Sequence, residues 1–136
     1  LRAGLLFVSE EDGAVVGFAC ATRMEAYVHL HEMSVHPDYG RRGIGGALLA
    51  RVVEAARSQH AVGVTLTTFA DVPWNRPFYE RHGFSSPSSN SIPAFLKGMV
   101  AAETGAGMTE RIAMVRSFGA REEGRRRPRR TGPSGS

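Results

Sequence analysis

The segment Gly40-Arg41-Arg42-Gly43-Ile44-Gly45-Gly46 has the composition of an anion cradle. Glycines let backbone N–H groups approach a phosphate with no Cβ in the way, and the adjacent guanidinium groups offset its charge. What flanks the turn decides what it can do. From Ile44, apolar residues recur at positions 48, 49, 52, 53 and 56, with Arg51, Glu54 and Arg57 outside the stripe, which predicts a helix from Ile44 to about Ser58. Tyr27 to Val35 reads as the strand before it, closed by His36-Pro37-Asp38-Tyr39-Gly40. Strand, glycine turn and helix bring free amides and the positive end of the helix dipole to one point. The same glycines could instead only shape a tight strand-to-helix turn. A dinucleotide fingerprint fits less well, because Gly43-x-Gly45-Gly46 lacks the full G-x-G-x-x-G and no acidic residue ends a following strand at the right offset. A Walker loop fails for want of Gly-Lys-Ser/Thr.

The elements that must position this turn can be read outward from it. Leu5 to Ser9 and Ala14 to Ala21 are apolar runs joined by Glu10-Glu11-Asp12-Gly13, which predicts an antiparallel hairpin. Ala61 to Thr68 is rich in β-branched residues and follows a crossover of helix length, so it is expected to lie parallel to the strand before the helix. Asn75 to Gly83 reads as a short helix with Asn75 as N-cap, Pro77 in the first turn and Gly83 at its end. Ser85 to Ser91 is a loop, Ala94 to Thr104 a helix and Arg111 to Arg116 a last strand. The expected class is α/β of the α+β kind: a mixed, mostly antiparallel sheet with a central strand-helix-strand crossover.

The stretch Val35-His36-Pro37-Asp38-Tyr39-Gly40-Arg41-Arg42-Gly43-Ile44-Gly45-Gly46-Ala47-Leu48-Leu49 resembles the acyl-coenzyme A pyrophosphate motif of the GNAT superfamily of N-acyltransferases. Asn75-x-x-Phe78-Tyr79-x-x-x-Gly83-Phe84 is similar to that superfamily's second motif, at the expected separation, and the resemblance to small bacterial members extends over about residues 5 to 117. It departs at Gly40, where the family pattern usually has Gln or Arg; Arg41 is expected to cover part of that loss. The resemblance implies acetyl-CoA as acyl donor, an amine as acceptor and direct attack on the thioester, with no metal. It also implies a strand and two helices ahead of the hairpin that help to wall the acceptor pocket. The sequence starts at or near the hairpin, so the domain (residues 1–118) is expected to be N-terminally incomplete, as a shortened chain, a short form completed by a partner subunit, or a decayed enzyme.

Acyl transfer from a thioester to an amine needs a neutral amine, a polarised carbonyl and a proton for the departing thiolate. By resemblance, Tyr79 is the general acid near the sulfur; its alternative role is packing beside Phe78 and Phe84. Asn75 matches a position that hydrogen-bonds the cofactor arm, and it is also a sound N-cap. Strict alternation puts Val28, Leu30, Glu32 and Ser34 on one strand face and His29, His31, Met33 and Val35 on the other. Glu32 is then the charged exception on a partly apolar face, and the resemblance makes it the base that deprotonates the amine, against an ion-pairing role. His29 or His31 is the fallback base. Backbone groups of Met33 and Val35 are expected to bind the pantetheine arm, and Arg41, Arg42, Gly43, Ile44, Gly45 and Gly46 the pyrophosphate. Trp74 reads as a core or lid anchor before an acceptor-site wall, and Cys20 as a small hydrophobe.

Composition limits the alternatives. The 136 residues are 42 % hydrophobic and 22 % charged, which suits one core. One cysteine excludes an internal disulfide, and no apolar run approaches the length that spans a bilayer. Leu1 to Val8 leads into Ser9-Glu10-Glu11-Asp12 without a small-residue cleavage site and reads as a strand, not a signal peptide. From Gly119 to Ser136, six Arg stand against two Glu, so this segment carries the whole net charge of +4 and the remainder is neutral. A tail of Arg, Gly, Pro, Ser and Glu is expected to be disordered; at most it holds nucleic acid non-specifically, without aromatics for base stacking. The expected compartment is the cytoplasm, a homodimer is left open, and the rival to an enzyme is a catalytically silent CoA-binding or regulatory module.

Overall fold

Asp12 and Gly13 both take left-handed backbone (φ 51° and 83°), the geometry of a tight hairpin turn, and they join strands β1 (Gly4–Glu11) and β2 (Ala14–Met24). In the computed structural model, which describes residues 4–88, 91–106 and 110–119, the chain continues through β3 (Tyr27–Val35), a 3₁₀ turn at Pro37–Tyr39 and α1 (Ile44–Ser58). Then come β4 (Gly63–Phe69), α2 (Asn75–Arg81), α3 (Ala94–Gly105) and β5 (Arg111–Ser117). The Arg-rich tail expected to be disordered lies, from residue 120 on, outside the described residues.

The five strands form one mixed sheet in the order β1-β2-β3-β4-β5. Pairing is antiparallel except between β3 and β4, the two strands joined by the α1 crossover. The expected α+β class therefore holds, with strand and helix limits within a few residues of those read from periodicity. Helix α1 lays Ile44, Leu48, Leu49, Val52, Val53 and Ala56 on one face of the sheet, against Val28, Leu30, Val64, Leu66 and Met114 among others. On the other face α3 packs Leu96 against Ala113 and Val115, with Tyr27 and Phe95 beside them.

Two features of β3 control the site. Its ladder to β4 consists of Val28 with Val64 and His29 with Thr65. Beyond that pair each strand continues on its outer neighbour alone, so a gap opens between Leu30–Val35 and Leu66–Phe69. The second feature corrects the alternation read from the sequence. Cys20 pairs with Glu32 while Ala21 pairs with Leu30, so His31 is an extra, bulged residue. A bulge resets which side successive residues point to. Met33 and Val35 join Val28 and Leu30 on the α1 side, packed against the same core. Glu32 lies on the opposite face from Val28 and Leu30, and is exposed.

Candidate functional site

The gap between β3 and β4 runs directly to the N-terminus of α1. Gly43 caps that helix in left-handed geometry (φ 81°, ψ 6°), contributes no side-chain hydrogen bond, and the first turn holds no acidic residue. The positive end of the dipole and the first amides are thus left for an external anion. A Cβ on Gly43 would meet nothing within 4 Å, so this glycine is required by its backbone angle and not by crowding. Arg41, itself at φ 65°, lies alongside.

Helix α2 forms the opposite wall. The sequence suggests Asn75 as its N-cap, but Trp74 occupies that position and Asn75 is the first helical residue. The Asn75 side chain is turned to the sheet, where Nδ2 donates to Thr68 Oγ1 at 2.9 Å, so its amide anchors α2 instead of capping it. Between the two walls lies a cavity of about 920 Å³, lined by Met33, Val35, Tyr39, Gly40, Arg41, Gly43, Gly45, Gly46, Trp74, Asn75, Phe78, Tyr79 and Arg81.

Eight of the residues expected to be catalytic or cofactor-binding line that cavity: Met33, Val35, Arg41, Gly43, Gly45, Gly46, Asn75 and Tyr79. Arg42 does not; its guanidinium sits over the Tyr39 ring, 4.9 Å from the centroid. The Ile44 side chain is in the core, leaving its backbone to the turn. Glu32 is not among the lining residues. Trp74, read as an anchor, is 71 % exposed at the rim. The motif pattern gives no weight to Tyr39 or Arg81, and only the placement of the 3₁₀ turn and the α2 face brings them to the cavity.

Tyr79 packs edge-on to Phe78 (5.1 Å between centroids) and Phe84 (5.8 Å). Burial raises its hydroxyl above the ordinary tyrosine value, with the charge of Arg111 pulling the other way. The group therefore holds its proton at neutral pH. Arg111 is itself fixed: Nε donates to Glu103 Oε1 at 2.9 Å, Nη2 donates to Thr67 Oγ1 at 2.9 Å, and the guanidinium covers the Phe69 ring at 4.2 Å.

At the mouth of the β3–β4 gap, His29 Nδ1 and Thr65 Oγ1 are 2.8 Å apart and both residues are buried. Burial, reinforced by the nearby His31, lowers the His29 pKa from 6.5 to about 4, against a smaller opposing effect of Glu103. His29 is thus a neutral strut between the two strands and is poorly placed to take a proton from an amine. His31 is exposed, with Nε2 2.6 Å from Thr22 Oγ1. Among the described residues no cluster of three or more His, Cys, Asp and Glu could hold a metal ion, and no helix is long and apolar enough to cross a membrane.

Residues 2–86 match the acetyltransferase (GNAT) domain family. The chain belongs to that family. Among solved structures, it is similar to the ribosomal-protein-alanine N-acetyltransferase of Escherichia coli (TM-score 0.66, 23 % identity), covering 85 % of this chain and 70 % of that one. A candidate streptothricin acetyltransferase of Bacillus anthracis in complex with acetyl coenzyme A gives TM-score 0.71 at 18 % identity, over 88 % of this chain and 65 % of the other. The PaiA N-acetyltransferase of Thermoplasma acidophilum in complex with coenzyme A gives 0.67 at 15 % identity, over 85 % and 62 %. These likenesses show the fold, and this chain spans about two thirds of each GNAT relative's length.

Proposed function

We propose that this chain transfers an acetyl group from acetyl-CoA to an amine by direct attack on the thioester. The observation that carries the reading is the β3–β4 gap leading to a helix N-terminus with left-handed Gly43 and no acidic residue in its first turn. The pyrophosphate sits on the amides of Gly43 to Gly46, with Arg41 beside it. The pantetheine arm enters the gap, held by backbone groups of Met33 and Val35 and by Asn75. The amine nitrogen attacks the thioester carbonyl, the tetrahedral adduct expels sulfur, and the thiolate takes the Tyr79 hydroxyl proton. The proton lost by the amine goes to Glu32, through water, since this carboxylate is exposed and off the cavity wall. The donor fits a cytoplasmic setting.

That displacement of Glu32 from the cavity also favours a second reading, a CoA-binding module without turnover. The experiment separates the two. Tyr79→Phe should keep acetyl-CoA affinity and lose turnover on a panel of amines at least about a hundredfold, the lower range for removing a positioned acid. Binding by the unaltered chain with no turnover on any amine supports the module. Equal turnover by Tyr79→Phe removes Tyr79 from the mechanism.

A further inference from the structure

Helix α2 has seven residues, too few to be stable alone, and only Phe78 and Tyr79 on it pack, half-buried, against the core. It is also held at its ends. Asn75 fixes the first turn through Thr68, as described, and His82, just past the last turn, fixes the other. Arg116 Nη1 donates to the His82 carbonyl at 3.1 Å. The His82 ring lies over the first turn of α1, so close that a Cβ built on Gly46 would stand 3.0 Å from Cε1 and 3.3 Å from Nε2. One turn earlier on α2, Phe78 covers Gly45 more loosely, with 3.5 Å from a built Cβ to Cζ, and the two rings meet at 4.7 Å and 54°.

This geometry reassigns two glycines of the turn. Only Gly43 has the positive φ that a side chain resists, whereas Gly45 and Gly46 sit in ordinary helical backbone. At Gly46 the absent side chain makes room for a ring of the opposite wall. We propose that the Gly46–His82 contact sets the distance between α2 and the N-terminus of α1, and with it the width of the donor slot and the place of Tyr79. His82 is then a positioning residue for acetyl transfer, and this inference rests on the acetyl-CoA reading above. The walls it spaces are the cavity's own: Gly43, Gly45 and Gly46 on one side, Asn75, Phe78, Tyr79 and Arg81 on the other. A rigid short helix pushed by a few tenths of an ångström at His82 moves that whole second wall.

The test is a cycle of Gly46→Ala, His82→Ala and the double variant in the full chain, with acetyl-CoA affinity read by titration calorimetry and stability by urea unfolding. Gly46→Ala should weaken acetyl-CoA binding by about tenfold, the order expected when a tight contact is overpacked. Adding His82→Ala removes the ring that the new methyl strikes, and should restore most of that loss. Gly43→Ala, where nothing is crowded, should also weaken binding but gain nothing from His82→Ala, which separates spacing from anion contact. Unchanged affinity in Gly46→Ala, a double variant no better than Gly46→Ala, or coupling seen in stability alone each overturns the proposal. An unaltered chain that binds no acetyl-CoA overturns the functional reading and this proposal with it, whereas binding without rescue overturns the proposal alone.

Discussion

Lowering the pH from 7 to 4.5 should destabilise this fold through His29, the neutral strut between β3 and β4. In the folded chain its pKa is about 4, below the ordinary 6.5, because it is buried beside His31. As the pH falls below 6.5 the unfolded chain takes up a proton that the folded chain refuses, so the unfolded state gains. The sign follows from linkage: stability rises with pH wherever the unfolded state binds more protons. The stabilising difference is fully present above pH 6.5 and is lost progressively down to the folded value. Each unit of the gap is worth about 1.4 kcal/mol, so the loss across the window is about 3 kcal/mol at most, a large share of a small domain's stability. Urea unfolding at pH 7, 6, 5 and 4.5 should therefore fall more steeply for the natural chain than for His29→Asn, which can still bond Thr65 but does not titrate. His29 sits at the last rung before the gap, so acid should also weaken acetyl-CoA binding. Parallel stability curves for the two proteins over this range would refute the reasoning.

Other perturbations have equally definite outcomes. Arg111→Met leaves Glu103 and the Thr67 hydroxyl without their cation in a largely buried place; it should cost about 1–3 kcal/mol by urea unfolding. Losing that positive charge should also move the alkaline limb of the Tyr79-dependent rate to higher pH. Asn75→Ala removes the bond to Thr68 and should weaken acetyl-CoA binding about fivefold to tenfold by calorimetry, near the net worth of one hydrogen bond. Deleting residues 119–136 should leave acetyl-CoA affinity unchanged while abolishing any salt-dependent retention on an immobilised nucleic acid. Retention that survives the deletion would place a nucleic-acid contact in the domain itself.

Much of the fold could be read from local pattern, because each long element repeats one signal. The α1 stripe at 44, 48, 49, 52, 53 and 56 names both the helix and its buried face, and every one of those residues is buried. The parallel pairing of β3 and β4 follows from crossover length and handedness. The misses come from partners that local pattern does not contain. Alternation along Tyr27–Val35 fails at His31, since a bulge is a property of two strands and only the pairing with Cys20 and Ala21 exposes it. Asn75 has the chemistry of an N-cap, yet its amide donates to Thr68 on β4, and Trp74 takes the cap position instead. The glycine turn reads as one device, but it holds two: Gly43 answers to backbone angle, and Gly46 to a ring that sits 36 positions further along the chain. Cavity residues such as Tyr39 and Arg81 carry no chemical signature in sequence and are recruited by where the turn and helix end.

The central claim is that the gap and glycine turn bind acetyl-CoA, and thermal unfolding of the chain with increasing acetyl-CoA tests it most directly. A ligand that binds only the folded form at a hundredfold its dissociation constant adds about 2.7 kcal/mol. For a domain of this size that is a rise in Tm on the order of 10 °C. The account predicts such a rise, growing with the logarithm of ligand concentration and lost in Gly43→Val. A cooperative transition that does not move with acetyl-CoA would contradict it, and would leave the turn as inherited scaffold without its ligand.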